Sequence, residues 1–127
     1  MIQTMLVFLG GGLGAASRHG VNIAAARVFG VGFPWGTIIV NVAGSLAMGL
    51  IVAWLAFRGG GGWTQHMRLF LTTGFLGGFT TFSAFSLDVA LLWERGDHSL
   101  AAAYVAGSMV LSVAGLFLGL WLVRALS

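Results

Sequence analysis

The chain has 127 residues, 58% of them hydrophobic and 7% charged, with a formal net charge of +3 at pH 7. Soluble domains carry about 25% charged residues. Six arginines, no lysine and three acids cannot cover a soluble surface of this size, so the composition is that of a membrane protein and excludes a disordered or nucleic-acid-binding chain. The absence of cysteine excludes disulfides, thiolate metal sites and cysteine nucleophiles.

A spanning helix needs about 20 mainly apolar residues. Four such stretches fit, at 2–27, 36–57, 66–94 and 99–126, and they predict a single all-α transmembrane domain of four helices over residues 1–127. The first lacks an early positive charge, and Gly10, Gly11 and Gly12 interrupt its apolar start. It therefore reads as a retained helix rather than a signal peptide. Gly30, Gly32 and Pro34 mark the first break. The second stretch carries Thr37 and Asn41, four apart and so on one face. An amide at that depth marks a solute path or, equally, a helix–helix hydrogen bond. Gly59, Gly60, Gly61 and Gly62 mark the second break.

The third stretch is the densest in polar signal. Between Thr72 and Ser86 lie six hydroxyls, three glycines and four phenylalanines within fifteen residues. Gly77-Gly78 followed by Thr80-Thr81 is a poor continuous helix, which predicts a break at mid-membrane with exposed backbone groups. The alternative is a kinked helix whose Ser and Thr side chains bond back to their own carbonyls. Phe79, Phe82 and Phe85, spaced by three, would line one face if the helix resumes. Arg95, Gly96 and Asp97 form the third break, with Asp97 or Ser99 as a cap for the last helix. That helix carries Tyr104, Ser108 and Ser112 as a one-sided hydroxyl stripe. Trp35, Trp63 and Trp93 sit at predicted ends, where interfacial tryptophans belong.

Gly10-xxx-Gly14, Gly115-xxx-Gly119 and Ser108-xxx-Ser112 are pairs that let helices approach closely in a membrane. Four spans place Arg58, Arg68 and Arg124 on one side and Arg27 and Arg95 on the other. Three against two is a weak positive-inside bias and permits insertion both ways, hence an antiparallel homodimer. Arg18 and Asp88 are the two mid-span ions. At about 1.5 Å rise per residue their depths match within roughly 3 Å, which predicts that they interact, directly or through water. An unpaired Arg18 would instead give a positive field in an aqueous vestibule.

Enzyme motifs fail. Gly10-x-Gly12-x-x-Ala15 mimics a dinucleotide fingerprint, but the first acid in the chain is Asp88, far beyond the ribose-binding position. His19, His66 and His98 are too scattered for a zinc site. The in-membrane donors are hydroxyls, an amide and the positive edges of phenylalanine rings. Such neutral groups suit a small anion that sheds its water.

Three segments resemble the CrcB/Fluc fluoride channels: Gly11-Gly12-Leu13-Gly14-Ala15-Ala16-Ser17-Arg18, then Pro34-Trp35-Gly36-Thr37-Ile38-Ile39-Val40-Asn41-Val42-Ala43-Gly44, then Thr73-Gly74-Phe75-Leu76-Gly77-Gly78-Phe79-Thr80-Thr81-Phe82-Ser83-Ala84-Phe85-Ser86. The fourth span adds Tyr104, Ser108 and Ser112. The resemblance implies a multi-pass protein of the bacterial inner membrane, embedded in lipid, that lets fluoride leak out of the cytoplasm and so gives fluoride resistance. It implies a dual-topology, antiparallel homodimer with two pores. It assigns fluoride contact to Phe82 and Phe85, the pore amide to Asn41, and the lining to Thr37, Tyr104, Ser108 and Ser112. It implies a structural sodium ion (Na+) at the dimer centre, on the carbonyls of Gly77 and Thr80 from each subunit. Ala84 and Asp88 depart from the family, where Thr or Ser and Glu are frequent. A small multidrug exporter has similar size, but its site centres on a first-span Glu, whereas the first-span ion here is Arg18. A non-transporting assembly subunit would leave the polar break without a purpose.

Overall fold

Apolar runs separated by glycine-rich turns form helices because, without water, backbone polar groups can be satisfied only within the segment. The computed structural model describes residues 1–30, 32–58 and 62–126. The glycine break at Gly59, Gly60 and Gly61 and the Trp63 side chain lie outside the described residues. Helix α1 runs Ile2–Phe29 and α2 runs Trp35–Arg58. Helix α3, Gly62–Arg68, continues as a π-helix over Leu69–Leu76 and a short α4 at Gly77–Phe79. Helices α5, Ser83–Glu94, and α6, His98–Leu126, complete the chain, and no strand occurs among the described residues.

Three segments are long and apolar enough to cross a membrane: Trp35–Ala56, Gln65–Glu94 and His98–Leu126. Helix α1 has the length, at 28 residues. Its apolar run is diluted by Gln3, Arg18, His19 and Asn22, so composition does not mark it as a span.

The turns follow their sequence chemistry. Gly30 ends α1 at φ 82°, and its N–H donates to the Ala26 carbonyl at 3.0 Å. At the other end of α5, Gly96 takes φ 89°. Its N–H reaches the Trp93 carbonyl and the Asp97 N–H reaches that of Leu92, both at 3.0 Å, closing the helix in a Schellman motif. Asp97 precedes α6, but its carboxylate is engaged elsewhere: it accepts from Arg95 Nε at 2.8 Å. Arg95 Nη2 donates to the Gly32 carbonyl at 2.7 Å and so ties the two loops together.

Glycine permits the closest helix contacts. A Cβ on Gly14 would stand 2.8 Å from Phe79 N, and one on Gly10 2.9 Å from Phe75 N, so α1 lies directly against the π-helix and α4. A Cβ on Gly119 would meet Leu50 N at 2.7 Å, which seats α6 on α2. The small-residue pairs Gly10/Gly14 and Gly115/Gly119 are thus packing devices, all four glycines being buried. An apolar core of Phe85, Leu92, Ala101 and Tyr104, backed by Phe33, Ile38, Val89 and Val105, joins α5 and α6 to the start of α2.

Candidate functional site

The site is built where the third apolar segment leaves helical backbone. Thr80 is extended at φ −82°, ψ 161°. Two interactions explain why the helix stops here. In an uninterrupted helix the Gly77 carbonyl would accept from the Thr81 N–H, and the Thr80 carbonyl from the Ala84 N–H. Instead, Thr81 N donates to Asn41 Oδ1 at 2.9 Å, and Asn41 Nδ2 donates back to the Thr81 carbonyl at 3.0 Å. Ala84 N donates to Thr81 Oγ1 at 3.2 Å, just ahead of the Phe82 N-cap of α5. The carbonyls of Gly77 and Thr80 are therefore stripped of their helical donors, and no turn bond among the described residues replaces them. Thr80 N and Oγ1 both donate to the Leu76 carbonyl at 2.9 Å.

A groove of about 530 Å3 opens beside this break. Asn41, Gly77, Thr80, Phe82, Phe85, Ser108 and Ser112 all line it, with Gly44, Met48 and Met109 among the apolar and small residues around them. Phe82 and Phe85 stand with ring centroids 5.8 Å apart, tilted by 42°. Phe82 is 78% exposed, whereas Phe85 is packed into the core. The Ser108 hydroxyl is buried and has no hydrogen-bond partner among the described residues, and a buried polar group without a partner requires an explanation. Asn41 spends one N–H on Thr81; an amide has two.

A second cavity, of about 330 Å3, lies toward the loops and is lined by Asn22, Thr37, Ala84, Asp88 and Arg95 among others. Thr37 and Asp88, in the wall of this second cavity, form a polar knot with Tyr104. Thr37 Oγ1 donates to Asp88 Oδ2 at 2.8 Å, and Tyr104 OH donates to the same oxygen at 3.0 Å. Tyr104 is fully enclosed, its ring 5.1 Å from that of Phe85 and edge-on to Phe33 at 5.4 Å.

The predicted site residues thus fall into groups. Asn41, Phe82, Phe85, Ser108 and Ser112 share the groove with Gly77 and Thr80. Thr37, Tyr104 and Asp88 form the knot. Arg18 joins neither: the one ion pair among the described residues is Arg95–Asp97, so Arg18 lies beyond ion-pair distance of Asp88 within the chain. Phe79 does not continue the phenylalanine face. The extended residue at 80 breaks the three-residue spacing, and Phe79 instead stacks on Phe75 at 6.0 Å.

Part of the hydroxyl density is local. Thr72, Thr80 and Ser86 each donate to the carbonyl four residues back, at 2.6–2.9 Å. Sequence reading missed Asn22 and the Arg95 latch. Arg95 and Gly32 are 63 positions apart, and nothing local in the sequence signals their meeting.

Apolar helices of spanning length around a groove of neutral donors and phenylalanine rings define a polytopic helical membrane protein. The chain belongs to the CrcB family, whose model, described as CrcB-like protein, Camphor Resistance (CrcB), matches residues 5–120. The chain is 60% identical over 123 residues to the fluoride-specific ion channel FluC of Rhodopseudomonas palustris (strain BisB5), covering 97% of this chain and 98% of that protein. It is 62% identical over 123 residues to fluoride-specific ion channel FluC 2 of Nitrobacter hamburgensis, with the same coverage. It is 58% identical over 124 residues to FluC of Methylobacterium nodulans, covering 98% of each chain. These relatives carry a channel's name, not an enzyme's, and the family resemblance seen in the sequence holds.

Proposed function

We propose that the chain is a fluoride channel that passively exports cytoplasmic fluoride across the bacterial inner membrane and so confers fluoride resistance. The observation that carries this reading is the groove at the helix break. There the unpartnered Ser108 hydroxyl, an Asn41 amide with an uncommitted N–H and the rings of Phe82 and Phe85 converge without a charged group. A dehydrated fluoride ion is a small, strong acceptor; hydroxyl and amide donors replace its water, and the positive ring edges of phenylalanine add to them. The fluoride channels among the relatives support the choice of anion.

The finer architecture belongs to the same proposal. Helix α1 serves as a fourth span, and the break in the third lies at mid-membrane. Two copies pair antiparallel, as the weak arginine bias allows, and build two pores. A groove open on one side, with Phe82 78% exposed, suits closure by a second copy. Thr37 and Tyr104 extend the lining toward the loop-side cavity, and Asp88 holds both hydroxyls. Arg18 contributes a positive field to a vestibule. A structural Na+ would be held at the dimer centre by the carbonyls of Gly77 and Thr80 from each subunit. The donor set fits, because both carbonyls lack their helical N–H and carbonyl oxygen is a hard ligand. Such an ion would neutralise converging carbonyl dipoles and tie the subunits together.

The test is anion efflux from proteoliposomes loaded with fluoride or chloride. Fluoride released while chloride is retained is the expected result; equal release, or no fluoride release, overturns the reading.

A further inference from the structure

Helix α2 touches the break at two places, and the polar one, Asn41 on Thr81, is only half of the contact. Three residues on, and on the same face, Gly44 lies against Thr80. A Cβ at Gly44 would collide with Thr80 Cγ2, and would stand 3.4 Å from Phe79 Cδ2 and 3.8 Å from Thr80 Cβ. The Thr80 methyl thus fills the notch that the missing side chain leaves. The other Thr80 groups are equally committed: N and Oγ1 both bond the Leu76 carbonyl at 2.9 Å. Its N–H, hydroxyl and methyl fix the Cα and side chain of Thr80, and the peptide plane that carries its carbonyl is fixed by the Thr81 N–H, which donates to Asn41 Oδ1 at 2.9 Å.

We infer that Gly44 is a positioning residue: by receiving the Thr80 methyl it seats Thr80 in the break, and together with Asn41, which holds the next peptide, it sets the direction of the Thr80 carbonyl. Helix α2 grips consecutive residues by different means, a two-way amide bond at Thr81 and an apolar notch at Thr80. Gly44 lines the groove but brings no donor or ligand side chain to it; its effect on the proposed cation passes through Thr80, and recovery in the double variant separates that effect from simple narrowing of the groove. The inference rests on the proposal that the Thr80 carbonyl is a cation ligand.

Volume exchange across the contact tests it. Gly44→Ala adds one methyl where Thr80→Ser removes one. In proteoliposomes, Gly44→Ala is expected to lower fluoride flux about tenfold and to raise the sodium concentration for half-maximal flux about tenfold, the range spanned by coupled contacting residues. Thr80→Ser alone empties the notch and is expected to lower flux about fivefold, and the double variant, in which one methyl again fills the notch, returns to within about threefold of the parent. The thermal midpoints of the purified proteins follow the same cycle: the double variant melts above Gly44→Ala. Additive effects of the two substitutions on both flux and melting, or a Gly44→Ala protein indistinguishable from the parent, overturn the inference. A parent whose flux ignores sodium overturns the assignment of Gly44 to the cation carbonyls. A parent that carries no fluoride at all defeats the channel reading instead, and the melting cycle then decides whether Gly44 and Thr80 are coupled.

Discussion

Asn41 does two tasks with one amide. Its oxygen and one N–H clip the Thr81 backbone, at 2.9 and 3.0 Å, and its second N–H is left for a ligand in the groove. A carboxylate at this position could still accept from Thr81 N but could not donate to the Thr81 carbonyl, and it would set a negative charge in the proposed path of the anion. Asn41→Asp is therefore expected to cut fluoride flux by about tenfold or more, each ~1.4 kcal/mol of added barrier being worth a factor of ten. Unchanged flux in the efflux assay would remove Asn41 from the path. Asp88 shows the same economy from the opposite side. Its Oδ2 receives the hydroxyl protons of both Thr37 and Tyr104, so these hydroxyls reach an anion only when the carboxylate releases them. Ser108, with no partner, carries no such restriction.

At the scale of the element, the third apolar segment is interrupted because its donors are taken by others. Asn41 captures the Thr81 N–H and the Thr81 hydroxyl captures the Ala84 N–H. The glycine-rich run makes the interruption inexpensive, and α1 holds it in place. Gly14 has no room for a side chain, since its Cβ would lie 2.8 Å from Phe79 N, whereas Gly20 has nothing within 4 Å. Gly14→Ala should lower the thermal midpoint, at a cost of about 1–3 kcal/mol for overpacking against backbone. Gly20→Ala should leave it unchanged or raise it, because Ala is the better helix former by about 1 kcal/mol. Equal shifts in a side-by-side melt would mean that the α1 contact is not tight. Local pattern alone was ambiguous here. Thr72, Thr80 and Ser86 bond back within their own turns, as Ser and Thr do in any membrane helix, while Thr81 does not. No spacing rule separates the two behaviours, because the residue that decides, Asn41, sits 40 positions earlier.

At the scale of the molecule, the arginines are nearly balanced about the proposed membrane, and the groove is open on one side. The antiparallel pair proposed above makes a prediction about orientation. The chain has no cysteine, so Glu94→Cys, at an exposed position beyond the apolar part of α5, reports orientation cleanly. About half of it should react with an impermeant thiol reagent added outside intact cells if the chain inserts both ways without preference. Labelling that is complete or absent would mean a single orientation and would remove the antiparallel pair.

The sequence by itself determined that the chain is a helical membrane protein, where its first and third turns fall, and which family it joins. Those properties depend on composition, on apolar runs of spanning length and on a contiguous motif, all of which are local along the chain. It also singled out Asn41, Phe82, Phe85 and Ser108 as residue types suited to an anion. Only the tertiary structure decided how they are used. It put five of the predicted pore residues on one groove, committed Thr37 and Tyr104 to Asp88, stacked Phe79 on Phe75, and left Arg18 outside direct ion-pair distance of Asp88 within the chain. The physical reason is that a hydrogen bond or a ring contact is set by distances of a few ångströms between residues remote in sequence. Depth along a helix, which spacing does give, leaves rotation about the helix axis and the identity of the neighbour undetermined.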